Sequence, residues 1–260
     1  MKRLLLVLSA LTVACGGGGG RAPRTAPAPV SQASLSASPA EVNSLWQRAE
    51  AAVRNGKWND AIKLLERVLL ELPPGDPRIP QAHYWLGEAY YARGSHLEAV
   101  REFRKASDDS PNHPIAPEAL LRVGDVYADL WRRPELDPTY GQTALATFQE
   151  LLNRYSGTNA AKRAQLRITE LNERFAYKAY KAGLFYFRLK AYDSAILYFK
   201  DLVASHPKTS VVPAALVKLV EAYRKLGYRE DVQETCDYIR RFHPKAPGAN
   251  EVCPTNAAGT

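Results

Sequence analysis

The sequence predicts an all-α fold, an α-solenoid of about five helix–turn–helix repeats. Three observations predict it. Residues 80 to 111 place Leu86, Gly87, Tyr90, Gly94, Ala99, Phe103, Ala106 and Pro111 at the spacing of a two-helix unit of about 34 residues. The same pattern recurs before and after that stretch. Proline and glycine fall mostly between the helical stretches, where they stop or turn a helix.

Each position in the unit has a packing role. Gly87 and Ala99 are small because the two helices cross closely there. Tyr90 and Phe103 fill the space beside the crossing. Gly94 takes the turn and Pro111 stops the second helix. This is the tetratricopeptide (TPR) pattern, and it returns in order along the chain. The first unit has Gly56, Trp58, Ala61, Leu65, Val68 and Pro73. The third has Gly124, Tyr127, Ala144, Phe148 and Leu151, stretched by an insertion from Trp131 to Tyr140. Pro134 and Pro138 make that insertion a loop, or a lengthened helix followed by a loop. Residues 158–175 read as a helical lead-in to the fourth unit. That unit has Gly183, Tyr186, Tyr192, Ala195, Phe199, Leu202 and Pro207. The fifth is the weakest, with Tyr223, Gly227, Val232, Cys236, Ile239 and Pro244. Stacked pairs of this kind share one continuous core.

The chain begins with Lys2 and Arg3, a ten-residue apolar run from Leu4 to Val13, and Cys15 after Ala14. The run is too short to span a membrane as a helix. It resembles a bacterial lipoprotein signal, with residues 1–14 removed and Cys15 acylated; Thr12 departs from the usual leucine. An ordinary secretory peptide that contains a cysteine is the alternative. Residues 15–40 form a lipidated tether of glycine, alanine, proline and serine, which buries too little apolar surface to fold. Its five consecutive glycines lack the Gly-Lys-Ser/Thr of a phosphate loop. Residues 41–157 hold units 1 to 3, residues 158–245 hold units 4 and 5, and residues 246–260 are expected to be a disordered tail.

The whole chain carries a net charge of +8 at pH 7, unevenly spread. Residues 41–157 have 14 Lys/Arg and 17 Asp/Glu, and residues 158–245 have 17 and 9. A basic C-terminal half suits an acidic protein face or acidic headgroups, and nucleic acid is not expected for an exported chain. Cys236 takes an inward position and Cys253 lies in the tail. An exported compartment permits a disulfide between them, and a buried free thiol at Cys236 is the alternative. The five histidines are scattered, so no metal or other cofactor is expected. No Gly-x-Ser-x-Gly or paired-carboxylate motif is present, so no enzyme is expected.

A repeat of this kind offers a groove lined by the first helix of each pair. The motif register places Trp46, Glu50 and Arg54 there from the first unit, then Tyr84, Glu88 and Tyr91, then Leu121 and Asp125. The fourth unit adds Tyr177, Tyr180, Leu184, Phe187 and Arg188. Aromatic side chains at such positions fit a peptide with apolar or aromatic residues. The competing reading is that they pack against the neighbouring repeat.

The lipoprotein signal, short tether and five repeats together resemble the BamD (ComL/YfiO) family of outer-membrane protein assembly lipoproteins. The stretch from Asp137 to Phe148 looks like that family's acidic-proline loop leading into an Ala-x-x-x-Phe helix. Tyr155-Ser156-Gly157-Thr158 stands where the family has Tyr-Pro-x-Ser, and Lys162-Arg163-Ala164 continues the likeness. Ser156, the glycine-rich tether and Tyr198 (where some members have an arginine) are departures. The resemblance covers residues 40–245. It implies a non-enzymatic subunit at the periplasmic face of the outer membrane, held by its lipid anchor. It implies C-terminal repeats docked on periplasmic domains of a BamA-like barrel protein, with Arg188, Arg224, Lys225 and Arg229 as candidates. Other assembly-machine lipoproteins are implied partners. The N-terminal groove would engage C-terminal segments of unfolded outer-membrane proteins. A different periplasmic TPR scaffold, in envelope or division coordination, is the rival reading.

Overall fold

The computed structural model describes residues 37–253. Cys15, the signal and most of the tether lie outside the described residues, as do residues 254–260. Ten helices form five antiparallel pairs. They are α1 (Pro39–Arg54) with α2 (Trp58–Glu71), α3 (Ile79–Ala92) with α4 (His96–Asp108), α5 (Ala116–Leu130) with α6 (Thr139–Arg154), α7 (Asn159–Arg188) with α8 (Tyr192–Ser205), and α9 (Val212–Leu226) with α10 (Arg229–Phe242). A short α11 (Ala249–Val252) follows. Each helix packs on the next, and α3 meets α5, α5 meets α7 and α7 meets α9. The chain is a TPR α-solenoid.

The ends of the helices follow from local chemistry. Ser38 and Glu41 form a capping box: the Glu41 N–H donates to Ser38 Oγ and the Ser38 N–H donates to the Glu41 carboxylate at 2.7 Å. The first helix therefore starts at Pro39, two residues before the expected boundary. Thr158 caps α7 by accepting the Ala161 N–H at 3.1 Å. The turns inside pairs 1, 2 and 5 pass through Gly56, Gly94 and Gly227 at positive φ. In the fourth pair Lys190 holds that position at φ 60°.

The core repeats one contact. A Cβ on Gly87 would meet the Phe103 ring, and the same holds for Gly124 with Phe148 and Gly183 with Phe199. The glycine on the first helix makes room for the phenylalanine on the second. The register gives Ala49 and Leu65 in the first pair, and Val220 and Cys236 in the last; all four are buried. Where the second residue shrinks, the first can grow.

Two segments differ from expectation. The lead-in is not separate: α7 runs unbroken for 30 residues, about 45 Å at the helical rise. Nothing from Asn159 to Ala182 is glycine or proline, so nothing interrupts it. The tail is also not disordered as far as it is described. Ala246, Ala249 and Val252 are buried, and Cys253 forms a disulfide with Cys236 (Cα–Cα 5.5 Å). Arg224 Nη1 donates to the Val252 carbonyl at 3.1 Å. Among the described residues no sixth pair covers the apolar flank of the last pair, and this segment supplies the cover.

The insertion is docked. Trp131 is 2% exposed and stacks on Phe175 at 4.6 Å, with Arg174 over its ring at 4.5 Å. Lys178 Nζ donates to the carbonyls of Glu135 and Leu136 at 3.1 and 2.8 Å. Asp137 accepts the Thr139 N–H at 3.0 Å and so starts α6.

Candidate functional site

The first helices of successive pairs share a face, and on α3, α5 and α7 that face is a ladder of charge. Glu88 on α3 takes the Arg122 guanidinium through two hydrogen bonds, 2.5 and 3.2 Å. Arg122 also lies 3.6 Å from Asp125 and over the Tyr91 ring at 4.6 Å. Arg167 on α7 bonds Asp125 at 3.0 Å and Glu170 at 3.1 Å. The Tyr91 hydroxyl donates to Asp129 in a short bond, and Arg163 pairs with Glu118. Partners one repeat apart stand on adjacent first helices, so the ladder also ties the pairs together.

Burial sets the electrostatics. It works against the Arg122 cation, but its bonds to Glu88 outweigh it and raise its pKa. Burial pushes Asp125 up despite Arg167 and Arg122 beside it. It also pushes the Tyr84 hydroxyl up, helped by the Glu88 carboxylate. Burial lowers the pKa of Arg174.

Between these helices lies a pocket of about 270 Å³ lined by Tyr91, Arg122, Asp125, Asp129, Arg167 and Arg174, among others, against the buried Phe148 and Leu171. A wider groove of about 850 Å³ lies between α6, α7 and α8, lined by Leu145, Phe175, Lys178, Phe185, Tyr198 and His206, among others. Phe185 stands 51% exposed at its edge.

The sequence-derived candidates divide. Glu88 and Tyr91 belong to the ladder, and Tyr91 lines the pocket. Trp46 sits apart on α1, stacked on Trp85 at 4.9 Å with Arg78 over its ring. Glu50 is half-buried on the same helix. Tyr84 is half-buried and packs on Phe103 at 5.5 Å, so the neighbouring-repeat reading describes it better. Leu121 is not a groove residue: it is 2% exposed in a core cluster with Leu120, Trp131 and Phe148. The motif register places it in the groove, but α7 packs on α5 and the side chain is enclosed. Arg188, Lys225 and Arg229 are exposed near the α7–α8 and α9–α10 turns, while Arg224 reaches the tail. Arg122, Arg167 and Arg174 were missed. Their signal was opposite charges about one repeat apart, as in Glu88 with Arg122.

Among the described residues no group of His, Cys, Asp or Glu is placed to hold a metal, and no helix is long and apolar enough to cross a membrane.

Comparison with known proteins gives the same outline. A protein from Caulobacter vibrioides called outer membrane protein assembly factor BamD is 27% identical over 74% of this chain. That alignment spans 63% of the Caulobacter protein, slightly less than two thirds. Proteins of the same name from Vibrio cholerae (27% identity, 74% of this chain, 83% of theirs) and Xylella fastidiosa strain 9a5c (28%, 79% and 74%) are similar. Among solved structures, the P58(IPK) TPR domain matches at TM-score 0.44 and 14% identity, covering 81% of this chain and 53% of that one. The family model described as YfiO, outer membrane lipoprotein, matches residues 39–238, from the first turn of α1 into α10. The chain therefore belongs to the YfiO family of outer membrane lipoproteins.

Proposed function

We propose that the chain is an assembly factor for outer-membrane β-barrel proteins, acting by binding and not by catalysis. The observation that carries this is the family match across residues 39–238, with relatives that bear the name outer membrane protein assembly factor. In this reading acylated Cys15 holds the chain at the periplasmic face of the outer membrane. The C-terminal pairs dock on the periplasmic domains of a BamA-like barrel protein. The exposed cations Arg188, Lys225 and Arg229 suit an acidic docking face. The face of α3, α5 and α7 engages C-terminal segments of unfolded outer-membrane proteins. Its support is the pocket there, with Tyr91 and charged side chains in its walls.

Affinity purification from detergent-solubilised outer membrane tests the reading. A large barrel protein with periplasmic repeats is expected to copurify. Depletion is expected to lower the amounts of folded barrels. Normal barrel assembly with defective septation would favour the rival scaffold role and overturn this one.

A further inference from the structure

The first pair, residues 39–71, carries five cations and five acids, so it is neutral as a whole. Its charges are unevenly spent. Glu41 closes the capping box, Glu66 accepts the Tyr90 hydroxyl at 2.8 Å, and Glu71 takes Arg67 at 2.6 Å and the Ala37 N–H at 3.0 Å. Of the cations, Arg67 alone has an ion-pair partner among the described residues. Arg48, Arg54, Lys57 and Lys63 are exposed and unpaired there. Three of these four share a groove of about 600 Å³: Arg48 from α1, Lys57 from the turn and Lys63 from α2. Asn55 and the half-buried Ala51 and Leu64 line it as well. Asp60 is the acid in its wall, placed in the first turn of α2, where a helix N-terminus favours a carboxylate. Among the described residues no pair precedes α1, so no neighbouring repeat covers the groove. The next turn on the same edge adds Arg93, exposed and unpaired, and Leu97, 57% exposed.

We propose that this groove binds the phosphate of an anionic phospholipid headgroup and so rests the α1–α2 turn on the membrane surface. Arg48, Lys57 and Lys63 take the phosphodiester, and Asn55 offers its amide to a headgroup hydroxyl. The inference rests on the placement of the chain at a membrane and adds how the solenoid faces it. Residues 16–36 separate Cys15 from the domain, and a chain of that length reaches past α1 in any orientation. An anchor at Cys15 alone therefore leaves the orientation open, and a headgroup site on the first pair sets it. The chemistry favours a lipid phosphate over a protein carboxylate. Two of the three cations are lysines, whose compact ammonium meets a phosphate as a point charge, whereas a carboxylate is best gripped by a bidentate arginine. Cations with apolar neighbours also suit the boundary between headgroups and acyl chains, which the exposed Leu97 can enter.

The test uses the chain from residue 15 onward with Cys15→Ser, which carries no acyl group; the buried core lies within residues 37–253, so this form keeps it. Cosedimentation is expected to show binding to vesicles of phosphatidylcholine mixed with phosphatidylglycerol in preference to phosphatidylcholine alone. Each cation neutralised at an anionic surface weakens binding about fivefold, so Arg48→Gln, Lys57→Gln and Lys63→Gln together are expected to cost about a hundredfold. Asp60→Asn removes the acid from the wall and is expected to tighten binding about fivefold, a gain that misfolding does not produce. Lys200→Gln, Lys208→Gln and Lys245→Gln together change the net charge equally in the last two pairs and are expected to bind as the parent does. An equal loss in that control would make the attraction one of net charge and overturn the site. Soluble glycerol phosphate that displaces the chain at matching headgroup concentration would make the ligand a free phosphate ester and overturn the membrane assignment. Binding to polyglutamate through the same three cations, without binding to vesicles, would give the groove to an acidic protein and overturn it too. No preference for anionic vesicles would sink the headgroup site and leave the anchor at Cys15 standing, since the chain tested lacks it.

Discussion

A Cβ built on Gly87 would stand 2.6 Å from Cδ1 of Phe103, closer than folded side chains approach. Gly87→Ala therefore forces the ring or the helix to move. A loss of about 1–3 kcal/mol is expected from overpacking of this kind, read as a lower midpoint in urea. Adding Phe103→Leu is expected to restore most of it, since the first pair already folds with Ala49 and Leu65 at these positions. A double variant no better than the single one would mean that the ring is not the obstacle.

Lys190 occupies a left-handed turn position, φ 60°, where three other pairs have glycine. A non-glycine residue there costs roughly 1–2 kcal/mol. Lys190→Gly is expected to raise stability by a few tenths to about 1 kcal/mol, part of the relief being offset by the freer unfolded chain. Lys190→Ala, which keeps the Cβ, is expected to bring no gain. Thermal melts of the two variants separate the cases.

Glu102 is 2% exposed and lies 2.7 Å from His83 Nδ1, with Lys105 Nζ at 3.2 Å. Burial raises its pKa, but the bonds from His83 and Lys105 outweigh that and hold it at about 2. Its folded value is thus depressed below the unfolded one, about 4.3. The stability it contributes is present above pH 4.3 and is lost as pH falls toward 2, about 3 kcal/mol in all. Glu102→Gln is expected to be less stable at pH 7 and to flatten the slope of stability between pH 5 and 2. Urea midpoints across that range check it.

The disulfide closes a loop with a sequence separation of 17. Chain-entropy arguments give about 3 kcal/mol for a loop near that length. Cys253→Ser is expected to lower the melting temperature and to speed amide exchange from 246 to 253 and along α9 and α10. The reduced wild-type chain is expected to match it. Unchanged exchange in the last pair would show that the tail is held by burial and Arg224 alone.

Much of the solenoid was legible because repeats declare themselves by period. Gly87, Phe103 and Pro111 each have counterparts at matching offsets, and those offsets fix which helices pair. The continuity of α7 was less plain, since the repeat begins in its middle and the turns before it carry no motif of their own. The order of residues 246–253 was hidden for a different reason. Alanine, proline and glycine look unfoldable alone, and Ala246, Ala249 and Val252 find burial only against α9 and the bridge to Cys236. At the site, Glu88 and Tyr91 followed from register, whereas Leu121 did not. Register says which side of α5 a residue occupies, but not that the long α7 will lie across it. The ladder of Arg122, Asp125 and Arg167 needed the contact between first helices, which no single repeat contains.

The unbroken α7 acts as a shaft. Its N-terminal half packs with the third pair and its C-terminal half is the first helix of the fourth. A helix of 30 residues does not hinge at its centre without a break, and this one has no proline and its only glycine, Gly183, lies near the end. Arg167 and Arg174 therefore stand on the same unbroken helix that carries Gly183 and the core of the fourth pair. The third and fourth pairs thus share one continuous helix, with no loop between them to serve as a joint.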